Sequence, residues 1–316
     1  MAYEYPTMLD LAKKTGSDSI VGLIEANLGL YPEVATIPSR TITGTSFKTL
    51  LRTSWPTAGF RLVNEGTEPK KGAYENKEVS CAYVDLMLEV DEAVVDADNG
   101  NLSDLQTLEA DGAMKAVMKT IGKQVWYGTS NDAKGFPGAL SLVSSDRTVD
   151  ATGSTASTGS SVWLLVPGVQ NCQIIFGGGN VLAMPEWSKQ RITRSSKELM
   201  AWVSNISGWV GFQWVNNYSF GRIKDLTEDS GKGLTDSLVA DLIAKFPDDV
   251  SLEGAKLFMT RRSARQLQKS RTPTSAADSG AKRTSAGTEI AAPWPTSSNG
   301  LPIVITSSLT NTEELT

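Results

Sequence analysis

Apolar residues recur at helical spacing over residues 7–28, and a short polar stretch interrupts them. Thr7 is placed to cap a first short helix and Asp18 or Ser19 a second, because their side-chain oxygens accept hydrogen bonds from first-turn N–H groups. Gly16 between them is typical of a helix stop. The pattern therefore predicts two short helices in this segment.

Residues 39–80 show a different pattern, in which β-branched and aromatic residues alternate with polar ones. Turn-forming residues cluster at Gly44, at 56–59 and at 64–66. The alternation predicts long extended strands that form a two-stranded excursion. Such a hairpin has little apolar surface of its own and is marginally stable alone in water. We therefore expect it to lie on another surface.

The segment 79–97 begins as a strand and is predicted to become helical near Asp91. A long helix follows over residues 104–127, because apolar residues again recur at helical spacing. It would be about 35 Å long at 1.5 Å per residue, which makes it a structural axis. Gly128 and the loop 131–134 are predicted to end this helix and to turn the chain back over it.

The remainder of the chain mixes strands and helices. We predict an exposed polar loop at 144–161, two core strands joined by a turn within 162–187, and an antiparallel pair bent at 205–208 within 198–226. We further predict a helix at 235–246 capped by Thr235, a strand at 255–260, a helix at 262–270, a polar loop at 272–300 and a strand at 301–309. The fold class is α+β, because strands and helices do not alternate regularly as in βαβ units, and there is no internal repeat.

The composition is that of an ordinary globular chain. Its 316 residues are 40% hydrophobic and 21% charged, which suits one large domain or two intermingled ones. The formal net charge of −5 provides no global positive field to attract nucleic acid or an anionic membrane. No signal peptide or membrane span is expected from the pattern, which indicates a soluble protein made in a cytosol.

Candidate catalytic chemistry is sparse. Histidine is absent, which removes the commonest general base and the commonest transition-metal ligand. Cys81 and Cys172 lie far apart in the sequence and suggest buried thiols in a reducing compartment, although the sequence also allows a disulfide between them. The glycines at 177–179 match neither the P-loop nor the dinucleotide fingerprint, which favours a hairpin turn. No serine has a defensible lysine base. We predict no metal site and no cofactor.

Two charged clusters have both a functional and a structural interpretation. The acidic set does not follow the register of a calcium loop, which favours a solvated face or an inter-subunit charge strip. It comprises Glu89, Asp91, Glu92, Asp96 and Asp98. The basic set is the best nucleic-acid candidate but lacks interleaved aromatic residues, which favours a subunit contact or a solvated helix face. It comprises Arg261, Arg262, Arg265, Lys269 and Arg271.

The stretch "AGFRLVNEGTEPKKGAYENKEVSCAYVDLMLEVDEAVVDA", followed by the long helix and "AKGFPGAL", resembles the major capsid proteins of tailed bacteriophages with the Hong Kong 97-like fold. The resemblance implies an N-terminal arm at 1–38 and an extended loop at 39–80 that lies across a neighbouring subunit. It implies a peripheral domain at 81–136 and about 186–225, in which 104–127 is the spine helix. The axial domain and connecting strands would be about 137–185 and 226–316.

The same resemblance implies a structural, non-enzymatic function. Copies of the chain would form hexamers and pentamers that close into an icosahedral shell around double-stranded DNA. The implied partners are other copies, a scaffolding protein, a portal and a decoration protein. DNA would be held by weak, non-specific contacts, since the subunit is net negative. No membrane is involved, and the location would be the virion, after assembly in the host cytoplasm.

The resemblance has two departures. The strand block 160–225 precedes the helices predicted for the axial domain, and no long helical N-terminal extension is expected, which implies a separate scaffolding protein. Lys48 lies on the extended loop, but no matching Asn and Glu are identifiable, so no cross-link is assigned. The candidate inter-subunit contact residues are Phe47, Lys48, Arg52, Trp55, Arg61, Glu65, Glu68, Lys70, Lys71, Arg261, Arg262 and Arg265.

Three other hypotheses stay open from the sequence. An encapsulin-like compartment shell would share the fold. A hydrolase or transferase that uses carboxylates alone would show a deep pocket with paired acids. A β-rich binding or adhesion module would fold as a stable monomer with an ordered 39–80 segment, whereas a capsid protein should expose that segment to proteases until assembly.

Overall fold

The computed structural model describes residues 29, 31–97, 102–169, 171–194, 196–214, 218–248, 250–271 and 292–315, with the backbone alone at 102, 104 and 105. The helices predicted within 7–28 and most of the polar loop predicted at 272–300 lie outside these residues.

The described residues form two sheets, a separate two-stranded hairpin and several helices. The strands in chain order are β1 (Ser39–Thr41), β2 (Ser46–Ser54), β3 (Ala73–Ser80), β4 (Ala82–Asp91), β5 (Thr148–Asp150), β6 (Ser160–Leu165), β7 (Cys172–Gly177), β8 (Ser188–Arg194), β9 (Lys197–Trp214), β10 (Phe220–Leu226), β11 (Lys256–Met259), β12 (Ser297–Ser298) and β13 (Leu301–Ile305). The helices are α1 (Glu33–Thr36), α2 (Glu92–Ala97), α3 (Leu102–Tyr127), α4 (Ala139–Leu142), α5 (Asp236–Ala244) and α6 (Arg261–Arg271).

The first sheet has the order β1-β7-β9-β4, and β8 pairs with the other end of β9. Its central strand corrects the prediction of a pair bent at 205–208, because β9 runs without a break for 18 residues. Asn205 lies opposite Met87 within a ladder that joins β9 to β4 over ten residue pairs. Pairing on this scale outweighs the local turn preference of Asn and Gly.

The second sheet has the order β12-β13-β11-β6-β10-β5. The two core strands predicted within 162–187 are present as β6 and β7, and a turn joins them, in which Asn171 N donates to the Gly168 carbonyl oxygen at 3.1 Å. The two strands lie in different sheets. Both are buried on both faces, and a continuous apolar run of this kind does not specify which neighbour a strand will pair with.

The second sheet also contains a βαβ unit that the sequence pattern did not indicate. Strand β11 leads into α6, and β13 returns parallel to β11, with Leu257 opposite Ile303. The long polar segment between helix and strand conceals this unit, because crossovers are normally recognised by closely spaced elements.

The segment 144–161 is only partly the exposed loop that its small polar residues predict. Strand β5 pairs parallel with β10, and Ser160 and Ser161 are fully buried. Ser160 Oγ lies 3.2 Å from Ser263 Oγ, and Ser161 Oγ accepts a 2.9 Å hydrogen bond from Arg222 Nε. Serine is tolerated in the core here because distant residues satisfy its hydroxyl.

The predicted long helix is present as α3. Val117, Ile121 and Val125 are buried at four-residue spacing and face the first sheet. One residue further, the fully buried Trp126 has its ring centroid 5.0 Å from that of Phe258 in the second sheet. The helix therefore contacts the core of both sheets, as expected of a structural axis.

The end of α3 confirms the prediction for the loop at 131–134. Gly128 has a φ of 55°, and a Cβ there would overlap the backbone of Gly138. The side-chain amide of Gln124 donates to the carbonyl oxygens of Asp132 at 3.2 Å and Phe136 at 2.8 Å. This loop ends the helix and reverses the chain.

The residues next to the predicted N-terminal arm belong to the core. Glu33 is fully buried and its carboxylate accepts hydrogen bonds from Trp126 Nε1, at 2.9 Å, and from Thr306 Oγ1. Ile37 is buried in the main hydrophobic cluster, and β1 pairs with β7. Residues 33–38, which were predicted as part of the arm, are therefore fixed to α3 and to the C-terminal segment.

The sheets divide the chain differently from the predicted domain boundaries. Strand β7, within the predicted axial region, belongs to the first sheet, and β10, within the predicted peripheral region, belongs to the second. A second hydrophobic cluster lies between the second sheet and helices α5 and α6, with Leu242 and Leu267 fully buried. Thr235 caps α5 as predicted, since its side chain accepts from Leu238 N at 3.3 Å.

Candidate assembly surface

Strands β2 and β3 form an antiparallel arm, from Ser46 opposite Ser80 to Ser54 opposite Ala73, and among the described strands each pairs with the other alone. Beyond the strands, residues 55–72 have no regular secondary structure, and those at 55–71 are exposed. We call residues 46–80 the arm and residues 55–71 its tip. This geometry confirms the predicted two-stranded excursion.

The tip carries large apolar side chains that contact little within the chain. Trp55 is 78% exposed, Leu62 74% and Val63 90%, and Phe60 is fully exposed. A Trp or Phe side chain gains about 1.5–3 kcal/mol when it is fully buried. A contiguous set of this kind on a folded protein marks an interaction surface.

A short turn presents these residues. Asn64 has a φ of 71°, and the Glu65 carboxylate accepts a 3.0 Å hydrogen bond from Leu62 N. The Arg61 guanidinium donates to the Glu65 carbonyl oxygen at 2.5 Å. Arg61 and Glu65, predicted as contacts to another subunit, therefore also hold the turn from which Leu62 and Val63 project.

The other predicted arm residues make contacts within the arm. Arg52 donates to Tyr74 Oη at 3.1 Å, and its guanidinium lies 5.2 Å from the ring centroids of both Tyr74 and Trp55. Lys48 pairs with Glu78 at 3.4 Å and Lys70 with Glu68 at 3.1 Å. Exposed ion pairs like these contribute about 0–1 kcal/mol. Lys71 is exposed at the tip.

The root of the arm contacts the first sheet. Lys77 Nζ lies 3.4 Å from the ring centroid of Trp214, and burial lowers the pKa of Lys77 despite the opposing charge of Glu75. Val79 is buried, and Phe47, its cross-strand neighbour, is half-buried with the Arg40 guanidinium 5.1 Å from its ring centroid. The arm is thus fixed at its base and unsupported at its tip.

The predicted basic contact residues on α6 divide into two kinds. Arg261 and Arg265 are exposed. Arg262 turns inward and donates to the carbonyl oxygens of Asn311 at 3.2 Å, Thr158 at 2.6 Å and Leu226 at 3.1 Å. Burial lowers the pKa of Arg262. Arg262 therefore links three segments of its own subunit to α6.

The remaining candidate chemistry is structural. Cys81 and Cys172 are free and buried, so the disulfide left open by the sequence is not formed, and burial raises the pKa of both thiols. A raised thiol pKa disfavours the reactive thiolate. Over the described residues no group of three or more acidic, Cys or His side chains could hold a metal ion.

Two members of the acidic set form ion pairs within the subunit. Glu89 pairs with Arg194 at 3.2 Å, and Glu92 pairs with Lys189. Asp91 ends β4, and its carboxylate accepts a 3.0 Å hydrogen bond from Ala93 N in the first turn of α2. This confirms the predicted change from strand to helix near Asp91. Asp98 lies outside the described residues.

Residues 37–316 match the family model of the major capsid protein GP7. The chain belongs to this family. It is a structural component of a capsid and not an enzyme, and its location is the virion. Self-assembly into a shell follows from this membership. No curated protein sequence matches the chain, and no helix in the described residues is long and apolar enough to cross a bilayer.

Among the similar solved structures, the Epsilon15 chain supports the fold. A chain from the cryo-EM structure of bacteriophage Epsilon15 is 18% identical and superposes with a TM-score of 0.75, over 99% of this chain and 98% of that one. A chain from Mycobacterium phage Bobi is 12% identical, with a TM-score of 0.48 over 69% and 97% of the two chains. The capsid of Myoviridae phage XM1 is 10% identical, with a TM-score of 0.46 over 68% and 98%. The predicted Hong Kong 97-like fold is confirmed.

The sequence interpretation missed several residues of this surface. Leu50, Phe60, Leu62, Val63 and Tyr74 are exposed apolar residues on the arm, and Lys77 holds its root. The cluster "FRLV" at 60–63 was the available signal, because three apolar residues within a turn-rich polar segment indicate a surface that is covered elsewhere.

Proposed function

We propose that this capsid protein forms hexamers and pentamers of an icosahedral shell around double-stranded DNA, and that each arm lies on a neighbouring subunit. The exposed tip is the observation that carries the proposal. Trp55, Phe60, Leu62 and Val63 remain outside every core cluster of their own subunit. Burial of several such side chains at each of many repeated contacts would make the closed shell stable although each contact is weak.

The two sheets support the assignment of domains within this proposal. The first sheet with α3 corresponds to the peripheral domain and the second sheet with α5 and α6 to the axial domain. Residues before Glu33 would form an N-terminal arm. A scaffolding protein, a portal and a decoration protein are further proposed partners, and assembly would take place in the host cytoplasm. The net charge of −5 favours weak contact with the packaged DNA.

The test compares the unsubstituted chain with the double variant Trp55→Ser and Phe60→Ser. Light scattering and negative-stain electron microscopy of the purified chain should show capsomers or shells, and the double variant should remain subunits. Val169→Ser is the matched control, since Val169 is an exposed apolar residue outside residues 46–80. The thermal unfolding of unassembled subunits should be the same in all three proteins.

Protease sensitivity gives a second measurement. Residues 55–71 should be cleaved in free subunits and protected in assemblies, because only assembly buries the tip. Equal assembly by the double variant and the unsubstituted chain would overturn the role of the arm. A compact monomer with a protease-resistant arm at high concentration would overturn the assembly itself.

A further inference from the structure

Helix α6 and the loop that precedes α5 enclose a groove of about 770 Å³. One wall is the outer face of the helix, with Arg261, Arg265 and Lys269. The opposite wall is the segment 227–235, and Trp294, which is 45% exposed, lies at the edge. We call this feature the cationic groove.

The groove is lined by four basic residues and by two acidic ones, Glu228 and Asp229, so its net charge is positive. Residues 261–271 contain five basic residues and no acidic ones. Arg271 pairs with Asp236 at 2.6 Å, and Arg262 is bound to three backbone carbonyl oxygens. In the described part of the chain, Arg261, Arg265 and Lys269 have no carboxylate within ion-pair distance. Three unpaired cations that share one helix face are suited to an anionic partner.

The groove is rigidly built. The buried face of α6 packs into the second cluster through Ala264 and Leu267. The opposite wall is held by Asp229, whose carboxylate accepts hydrogen bonds from Thr155 Oγ1 at 2.6 Å and Thr227 Oγ1 at 2.8 Å. Gln266 on the helix donates to the Thr227 carbonyl oxygen at 2.8 Å and so joins the two walls.

The size and the charge together favour a protein segment as the occupant. A groove of several hundred Å³ suits a short stretch of peptide, whereas a DNA duplex would contact a far larger surface. The same chain presents a suitable segment. Residues 241–253 contain four acidic residues and one lysine, and Asp241, Asp248 and Glu253 are exposed without a cation partner in the region that the structure describes.

We propose that the cationic groove of one subunit binds the acidic segment 241–253 of the next subunit in the capsomer. The inference rests on the proposed assembly. The groove is formed by α6 and the segment before α5, and the acidic segment by the end of α5 and the loop after it. These two surfaces differ from each other, so the contact is heterologous. Heterologous contacts repeated around a rotation axis close into rings. The groove and the acidic segment would thus connect each subunit to the next within a hexamer or pentamer.

The first experiment identifies the partner of Lys269. Unlabelled and ¹⁵N-labelled subunits are mixed, assembled and treated with a carbodiimide, which joins an amine to a carboxylate in direct contact. Peptide mass spectrometry should find Lys269 joined to an acidic residue within 241–253 in peptide pairs that carry both isotopes. Assemblies in which Lys269 is joined only within one subunit, to another region, or not at all would contradict the proposal.

The second experiment reverses the charge of the groove. The variant Arg265→Glu with Lys269→Glu should form at least about tenfold fewer capsomers than the unsubstituted chain at equal protein concentration. Adding Asp248→Lys and Glu253→Lys to the same chain should restore assembly. The control Arg265→Lys with Lys269→Arg keeps both charges and should assemble normally. Thermal unfolding of the unassembled subunits tests that each variant folds.

The outcomes separate this inference from the proposed function. If the unsubstituted chain forms no capsomers under any condition, the proposed function fails. If it forms them and the charge-reversed variant does so equally well, only this inference fails. If that variant assembles but loses salt-dependent retention of double-stranded DNA, the groove is a nucleic-acid contact and the subunit-contact proposal is overturned.

Discussion

The β2–β3 arm and the β6–β10 pair of the second sheet are both antiparallel, yet they differ in what their side chains contact. Strands β2 and β3 pair over nearly their whole length, but most of their residues are exposed. Strands β6 and β10 pair over a shorter length, and nearly all of their residues are buried. The backbone ladder is therefore common to both regions, and burial is not.

This difference matters because net stability comes mainly from apolar burial. A backbone hydrogen bond contributes only about 0.5–1.5 kcal/mol in folding, since the unfolded chain is bonded to water. The second sheet gains further from Trp163 and Leu164 on its two faces. The arm has no comparable burial within the subunit. This difference in burial can be tested by paired substitutions, one in the arm and one in the rest of the subunit.

The largest contrast is expected between two tryptophans. Trp163 is 1% exposed, with its ring centroid 5.7 Å from that of Trp126. Trp163→Ala should lower the free energy of unfolding by about 3–5 kcal/mol, because it leaves a cavity in the core. Trp55→Ala should change it by less than about 0.5 kcal/mol. Denaturant unfolding of unassembled subunits measures both, and similar losses would contradict the contrast.

A smaller contrast is expected between two acidic residues. The Glu313 carboxylate, nearly buried, accepts from Arg222 Nη2 at 3.1 Å and from Tyr127 Oη at 2.6 Å. Burial and the Glu313 charge raise the pKa of Tyr127, so this hydroxyl stays a donor. Glu313→Ala should cost about 3 kcal/mol of unfolding free energy, because it leaves Arg222 buried without its partner.

Glu78→Ala is the matched substitution in the arm. It breaks the exposed pair with Lys48 and should cost less than about 1 kcal/mol. Chemical denaturation of both variants at neutral pH gives the comparison. An equal loss in the two proteins would show that the exposed pair contributes as much as the buried one.

The smallest contrast concerns pH. Hydrogen bonds from Arg271, at 2.6 Å, hold the pKa of Asp236 below its usual value of 3.8. A lowered folded-state pKa stabilises the subunit above pH 3.8, and this stabilisation is lost as the pH falls through the folded-state value. Asp236→Asn should therefore cost up to about 1 kcal/mol at pH 6, and the difference should shrink below pH 4.

In the arm, Glu68→Gln should change the free energy of unfolding by less than about 1 kcal/mol at pH 6, because Glu68 and Lys70 are exposed and their pair is weak. Unfolding midpoints of Asp236→Asn between pH 3 and pH 6, and of Glu68→Gln at pH 6, give the comparison. If the unfolding midpoints of Asp236→Asn and the unsubstituted chain differ by the same amount at every pH between 3 and 6, the role assigned to the ion pair between Asp236 and Arg271 is contradicted.

Part of the candidate surface could be predicted from sequence. The arm was expected because alternation and turn residues recur without enough apolar residues for a core of their own. Its exposed positions were harder to assign. Arg262, Arg261 and Arg265 are alike in sequence, but only Arg262 turns inward, because the carbonyl oxygens of Thr158, Leu226 and Asn311 converge beside it. No local pattern carries that information.

The sequence by itself determined the elements whose signal is local. Helix α3 follows from its own apolar spacing, the end at Gly128 from the conformational freedom of glycine, and the cap of α5 from Thr235. Tertiary structure alone decided the partners. It kept β9 continuous through Asn205, placed β6 and β7 in different sheets and buried Ser160 and Ser161. The physical reason is that pairing and burial depend on residues far away in the chain, which can outweigh local preferences of a fraction of a kcal/mol.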